Sequence, residues 1–115
     1  MNALRLKGDA MYLLLREGRV DEFNRLKSQG QKCDLRNCDL RNLDLRTLDA
    51  HQLDMSGCYF RQADLRGIDF SQTLLEGASI NGAKVSGVLF PIELTAAEIT
   101  LSLTQGIRMR YQKCT

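Results

Sequence analysis

The 115-residue chain has little net charge, no tryptophan, one proline and one histidine. Sixteen basic residues against 14 acidic ones give a formal charge of +2, which excludes a nucleic-acid mimic built on net negative charge and gives little support to a DNA-binding protein. The single histidine, His51, excludes chemistry that needs a histidine pair. The length suits one domain, and 43% hydrophobic residues exclude wholesale disorder.

Long apolar segments are also missing. The apolar run from Met11 to Leu15 is far shorter than the ~20 residues that a helix needs to cross a bilayer. The first nine residues contain no apolar stretch typical of a secretory signal. We therefore expect no membrane segment and a cytoplasmic location.

The sequence from residue 33 to residue 92 is periodic. It divides without insertion into twelve blocks of five: CDLRN CDLRN LDLRT LDAHQ LDMSG CYFRQ ADLRG IDFSQ TLLEG ASING AKVSG VLFPI. The third residue of every block is apolar, and the first is apolar in eleven blocks. A period of five fits neither the 3.6 of a helix nor the alternation of a strand. It predicts short extended stretches separated by corners, with the first and third residues facing inward.

The polar positions explain the corners. Aspartate fills the second position in seven of the first eight blocks, where its short side chain can accept hydrogen bonds from the backbone of a turn. Glycine ends five blocks and permits positive φ without steric cost. One block buries almost nothing alone, so stability must come from stacking of successive turns of the chain.

These blocks resemble the pentapeptide-repeat family, with CDLRN, ADLRG and ASING close to its consensus A/C-D/N-L-x-x. The resemblance covers residues 33–92 and implies a mainly β solenoid, a right-handed quadrilateral β-helix in which four blocks form one coil. Twelve blocks imply about three coils, roughly 15 Å tall at a strand spacing of ~4.8 Å. Members of the family do different things on one scaffold, so the resemblance implies little about function.

Residues 1–32 are predicted to form an N-terminal helical cap. Asp9 is placed to begin one helix that Gly18 ends, and a second helix is expected from about Val20 to Ser28. A short β-helix has two open ends with unpaired backbone edges, so a cap is expected at each end.

Residues 93–115 are predicted to form a C-terminal capping helix and tail. Pro91 has no backbone N–H, so the repeats should end there. Thr95 and Glu98 have the spacing of a capping box, which predicts a helix from Ala96 to Gln105 that Gly106 ends. The alternation of apolar and polar residues from 99 to 104 suits a strand instead. The capping box favours the helix.

The four cysteines are interpreted as structural. Cys33, Cys38 and Cys58 occupy first positions, and spacings of five and twenty do not match C-x₂-C metal-ligand pairs. We expect buried thiols, with Cys38 and Cys58 stacked in adjacent coils and reduced in the cytosol. Cys114 is assigned to a polar tail without a role.

No catalytic residue, metal ligand or cofactor site is predicted. His51 sits at an outward fourth position without a serine or cysteine nucleophile beside it, and we interpret it as a surface residue. The seven aspartates recur because the turn recurs. The glycines follow the repeat and form no phosphate-binding motif.

The arginines are the best candidates for a partner-binding surface. Blocks four apart share a side of the solenoid, so Arg41 should stack near Arg61, with Tyr59 in place of the expected aspartate. Arginine and tyrosine are enriched at interface hot spots. The candidate partner-binding residues are Arg41, Tyr59, Arg61, Arg46 and Arg66. The alternative is a solvated, salt-bridged ladder, because residues 33–92 hold eight acidic against six basic residues.

We therefore predict a non-catalytic protein-interaction or scaffold protein that binds a protein partner or itself. The family suggests an alternative, modulation of DNA gyrase by DNA mimicry, but such relatives are longer and acidic, and the arginine columns have the wrong sign. Weak nucleic-acid binding through those columns is a further alternative, disfavoured because phosphate binding requires uncompensated positive charge.

The C-terminal segment is predicted to pack against the third coil and to contribute to a homodimer. Outward apolar residues in the third coil need a cover, and the residues that follow cannot all face one side. The candidate cap or self-association residues are Leu74, Leu89, Ile92, Ile99, Leu101 and Leu103. The alternative is a monomer whose cap buries both of its faces.

Overall fold

The computed structural model describes residues 9–112, which contain three α-helices. These are α1 (Ala10–Arg16), α2 (Val20–Ser28) and α3 (Ala96–Gln105). Cys114 and the outer ends of both predicted terminal segments lie outside this range. None of the helices in the described range is long and apolar enough to cross a membrane.

The two N-terminal helices begin and end close to the predicted positions. The Asp9 carboxylate accepts hydrogen bonds from the backbone N–H groups of Met11 and Tyr12, which caps α1. Helix α2 has no side-chain cap, but acidic residues in its first turn and basic residues in its last turn favour the helix dipole. Both helices bury apolar side chains, including Leu15 and Phe23.

Helix α3 confirms the helical alternative for residues 96–105. Thr95 Oγ1 accepts a hydrogen bond from the Glu98 backbone N–H, and Gly106 ends the helix in the left-handed conformation. The reciprocal half of the predicted capping box is wrong, because the Glu98 carboxylate accepts from the backbone and guanidinium of Arg110 instead. A charged guanidinium is the stronger donor for a carboxylate.

Residues 33–92 pair with residues twenty positions away. Six isolated parallel β-bridges join Asp39 to Tyr59, Asp44 to Asp64, Asp54 to Leu74, Tyr59 to Ser79, Asp64 to Lys84 and Asp69 to Leu89. A turn follows every short paired stretch, so no strand longer than a bridge occurs among residues 9–112. We call residues 33–52, 53–72 and 73–92 the first, second and third coils.

Blocks that lie above one another define four sides. Side one comprises 33–37, 53–57 and 73–77; side two 38–42, 58–62 and 78–82; side three 43–47, 63–67 and 83–87; and side four 48–52, 68–72 and 88–92. Every bridge joins blocks of the same side. The stacking that the period of five predicted is therefore present in the backbone pairing.

One apolar column runs through the stacked blocks. The third residues of the first two coils are buried, and the rings of Phe60 and Phe70 meet in the middle with centroids 6.0 Å apart. The column continues into Leu15 and Phe23 of the N-terminal helices and into Met109 after α3. The helices and the repeats thus share one core, which supplies most of the hydrophobic stabilisation.

The corners are built by the predicted residues. All seven second-position aspartates accept a hydrogen bond from the backbone N–H two residues later. Ten of the twelve fifth positions have positive φ, five of them glycine. Among the five that are not glycine, Thr47 is the least suited to positive φ, because a β-branched residue at φ 72° is strained. Gly57 combines positive φ with close approach, since a Cβ there would lie 2.1 Å from the side-chain oxygen of Asn37.

The N-terminal helices bond to the backbone edge of the first coil. The Tyr12 hydroxyl donates to the Asp39 carbonyl at 2.8 Å. The side-chain amide of Asn24 donates to the Thr47 carbonyl at 2.8 Å and accepts from the Asp49 N–H at 2.9 Å. The Asn24 side chain thereby makes the two backbone hydrogen bonds that a neighbouring coil would otherwise make.

The residues after α3 bond to the third coil in a similar way. The Met109 carbonyl accepts from the Gly77 N–H at 2.7 Å, and the Met109 N–H donates to the Ala78 carbonyl at 2.8 Å. The Ile80 N–H donates to Ser102 Oγ, which in turn donates to the Ile107 carbonyl. These bonds fall on sides one and two.

Candidate interaction surfaces

Four of the five fourth-position arginines bind the aspartate of their own block. Arg41 donates to both carboxylate oxygens of Asp39, at 2.8 and 2.7 Å. The same two-bond contact occurs in the blocks of Arg36, Arg46 and Arg66. The aspartate that shapes the corner also receives the guanidinium, so most of the arginine charge is balanced locally.

Side three adds a contact between coils. Arg46 of the first coil lies 3.4 Å from the Asp64 carboxylate of the second coil, which Arg66 also binds. The hydrogen bond from Arg66, despite partial desolvation and together with the charge of Arg46, lowers the pKa of Asp64 from 3.8 to about 2. The structure thus brings Arg46 and Arg66 together on one shared carboxylate.

Arg61 differs from the other four arginines because Tyr59 replaces the aspartate of its block. Its exposed side chain makes no hydrogen bond or ion pair with any residue that the structure describes. Tyr59 instead contacts Arg41, whose guanidinium carbon lies 5.7 Å from the ring centroid, a cation–π distance. Side two therefore presents a stacked arginine and tyrosine beside an arginine without a carboxylate.

Lys84 is not among the candidate partner-binding residues that the sequence predicts. It stands at a second position of side three, and it forms no ion pair within residues 9–112. The sequence does mark Lys84, because it is a lysine at a second position, where seven blocks have aspartate. Lys84 places a further positive charge one coil above the Asp64 and Arg66 pair.

Helix α3 packs against the third coil, but the prediction that it covers the outward apolar side chains of that coil is wrong. Leu74, Leu89 and Ile92 are 52%, 58% and 94% exposed. Helix α3 lies over the end of the apolar column, where Ser102 contacts Ile80, whereas the three side chains project outward from the sides. Among the other candidates, Leu101 is exposed, and Ile99 and Leu103 are half-buried.

Sides three and four of the third coil end in an unpaired backbone edge. The N–H groups of Val85, Gly87 and Phe90 and the carbonyls of Ala83 and Val88 have no partner among residues 9–112. The equivalent groups of the second coil are all bonded to the third coil. Val85 and Phe90 are also only half-buried, although the corresponding residues below them are buried. The C-terminal segment covers only half of this end.

Three of the cysteines and His51 lie within the described residues. Cys38 and Cys58 are fully buried thiols, as predicted, whereas Cys33 is half-buried. The structure corrects one expectation, since Cys33 and His51 line the same shallow groove of about 460 Å³. Burial raises the pKa of the Cys33 thiol, which opposes formation of a nucleophilic thiolate.

A second groove, of about 650 Å³, lies between the connection of α1 to α2 and side three, and is lined by residues that include Arg19, Glu22 and Asp44. Within residues 9–112, no group of three or more histidine, cysteine or acidic side chains is placed to hold a metal ion.

A family model for pentapeptide repeats, in eight copies, matches residues 54–90. These residues lie inside the twelve blocks and include most of the second and third coils. Residues 54–90 are therefore pentapeptide repeats, and the resemblance carried by the blocks is confirmed over these residues. Comparison with curated proteins and with solved structures gave no match for this chain.

Proposed function

We propose that residues 33–92 form a right-handed quadrilateral β-helix of three coils, and that this body is a non-catalytic protein-interaction scaffold. The bridges between residues twenty apart, the corner after every block and the continuous apolar column support this proposal. Residues 1–32 and 93–115 act as its caps. Flat sides and a rigid, corner-bonded backbone offer a surface on which side chains are held in fixed columns.

The partner-binding surface is centred on side two. It comprises Arg41, Tyr59 and Arg61, with Arg46 and Arg66 beside it on side three. The observation that carries this assignment is the Arg61 guanidinium, which has no carboxylate partner among the described residues, next to the stacked Arg41 and Tyr59. An arginine beside an aromatic ring is the composition of an interface hot spot.

Affinity capture from native lysate tests the surface. Arg61→Glu should lose the proteins that the wild-type chain recovers, because it reverses the charge at the centre of the surface. Arg36→Glu is the matched control, since Arg36 occupies the same block position on side one and is bound to Asp34. If the wild type and both variants recover the same proteins, side two is not the partner-binding surface.

Self-association is a second candidate function, favoured by the unpaired edge of the third coil. The exposed Leu89 and Ile92 lie on side four, where the Val88 carbonyl and the Phe90 N–H have no hydrogen-bond partner within residues 9–112. A second copy related by a two-fold axis would cover both the apolar side chains and the edge.

Light scattering tests this homodimer. The wild type should be a dimer at micromolar concentration, and Leu89→Glu combined with Ile92→Glu should give a monomer. Leu13→Glu is the control, because Leu13 is also exposed but lies at the other end of the molecule. A monomeric wild type overturns the homodimer.

Gyrase modulation and nucleic-acid binding through the arginine columns remain the competing proposals. A supercoiling assay with purified gyrase separates the first from an interaction scaffold, because dose-dependent inhibition or protection would support it. Direct binding of duplex DNA would support the second.

A further inference from the structure

The outward charges of the second and third coils are divided between two halves of the surface. Sides two and three carry three cations, Arg61, Arg66 and Lys84, against one carboxylate, Asp64. Sides four and one carry three carboxylates and no lysine or arginine, and these carboxylates are Asp54, Asp69 and Glu76. The near-neutral net charge of the chain therefore conceals a positive half and a negative half.

Local pairing concentrates the positive excess at two residues. The Asp64 carboxylate is already bound by Arg66 and approached by Arg46. Arg61 and Lys84 have no ion pair among the described residues, and they lie on adjacent sides in successive coils. An exposed cation that forms no ion pair keeps more of its attraction for an external anion than a paired cation does.

A third cation lies beside side two. The Arg108 guanidinium donates to the carbonyls of Gly57 and Gly77, which end the side-one blocks of the second and third coils. These carbonyls fix the guanidinium at the corner before side two without neutralising its charge. The positive region thus extends from this corner across sides two and three.

From this placement we infer that the surface formed by Tyr59, Arg61, Arg66 and Lys84, here called the basic surface, binds an acidic segment of a partner protein. This inference rests on the proposed interaction function and names the chemistry of the partner. Arg61 is free to bind a carboxylate through two parallel hydrogen bonds. The ring of Tyr59 offers apolar contact beside that charge.

The carboxylate within the basic surface favours a peptide over nucleic acid. Asp64 lies between Arg61 and Lys84 in chain order. The pKa of its carboxyl group is about 2, so the group is charged at neutral pH. Duplex DNA carries a charge about every 1.7 Å along its axis and cannot avoid this carboxylate. A peptide with spaced acidic side chains can place them at Arg61 and Lys84 and leave Asp64 facing a neutral residue.

Fluorescence anisotropy with a labelled peptide of alternating glutamate and serine tests the inference. Replacing Arg61 and Lys84 together by glutamine should weaken binding about tenfold, because each lost exposed charge pair is worth roughly half a decade. The matched control replaces Arg25 and Arg36 by glutamine, which removes the same charge from exposed, ion-paired sites elsewhere. We expect the control to weaken binding by less than about threefold, through long-range attraction alone.

Three outcomes overturn the inference: equal losses in the two double variants, tighter binding of duplex DNA than of the acidic peptide, or no binding of the acidic peptide at low salt. The lysate capture with Arg61→Glu separates these from failure of the proposed function. If that variant loses its captured proteins while the acidic peptide shows no site-dependent binding, side two binds a protein that is not recognised through acidic residues. If the capture is unchanged as well, both proposals fail.

Discussion

The two ends of the repeat region are covered to different extents. At the N-terminal end, side chains before the first coil bond to its backbone on every side, through Asp9 on side one, Tyr12 on side two, and Asn24 at the corner between sides three and four. At the C-terminal end, α3 and residues 106–112 bond only to sides one and two. Two short helices therefore cover four sides, whereas one helix and a tail cover two.

The burial of the third residues also differs between the first and the third coil. In the first coil all four third residues are buried, from Leu35 to Ala50. In the third coil Val85 and Phe90, on the two uncovered sides, are half-buried. The comparison shows that burial of the apolar column depends on the segment that covers the last coil as well as on the repeats. We expect the C-terminal end to open locally at lower free energy than the N-terminal end.

Removing the largest wholly apolar side chain of the N-terminal cover should have the largest effect. Phe23 is fully buried between α2 and the repeats, so Phe23→Ala should lower the free energy of unfolding by about 3–5 kcal/mol. Urea denaturation measures this loss. Leu13→Ala is the control, because Leu13 is 43% exposed and should matter little. A loss below about 1 kcal/mol for Phe23→Ala would show that the N-terminal helices contribute little to the core.

The corresponding change at the C-terminal end should be smaller and more local. Met109 is fully buried, so Met109→Ala should cost about 2–4 kcal/mol while its backbone bonds to Gly77 and Ala78 remain available. Hydrogen exchange should show faster exchange of the amides of Gly77 and Ile80, with those of α2 unchanged until global unfolding. Uniformly faster exchange in both ends would contradict the difference in local stability.

The repeats and their corners could be predicted because their determinants are local. An aspartate that bonds to the N–H two residues later, and a glycine at the next corner, are visible within a single block. The starts of α1 and α3 followed from the caps at Asp9 and Thr95 in the same way. The position of Tyr59 beside Arg41 followed from the period together with the four blocks per coil that the family resemblance implies.

The covers of the two ends could not be predicted in the same detail. The bonds of Tyr12 to Asp39 and of Arg108 to Gly57 join residues 27 and 51 positions apart, and no repeat marks them. The sequence shows that Leu89 and Ile92 are apolar, but not that α3 lies over the column and leaves both exposed. Where the period of five ends, the position of the chain depends on tertiary contacts alone.

A polar change at the N-terminal end sharpens the comparison further. Asn24→Ala removes the donor to the Thr47 carbonyl and the acceptor from the Asp49 N–H, so it should lower the free energy of unfolding by about 1 kcal/mol. Water can reach this exposed edge, which limits the cost. Gln29→Ala, an exposed change at the end of α2, is the control. A cost equal to that of the control would show that the apolar contacts of α2 alone hold this end in place.

Acidification should give the smallest effect and separates the C-terminal end from the middle of the repeat region. Hydrogen bonds from the Arg110 side chain and backbone lower the pKa of Glu98 below 4.5, and the pKa of Asp64 is lowered to about 2, chiefly by Arg66. A carboxyl group with a lowered pKa in the folded state stabilises the fold above its unfolded pKa and loses that contribution as pH falls. In denaturation midpoints measured from pH about 6 to about 2, Glu98→Gln should therefore remove the part of the acid dependence that begins near pH 4.5. Asp64→Asn should remove the part that extends from 3.8 down to about 2. If Glu98→Gln retains the full acid dependence of the wild type, the contact between Glu98 and Arg110 does not hold the tail against α3, and coverage of sides one and two depends on Met109 and Ser102 instead.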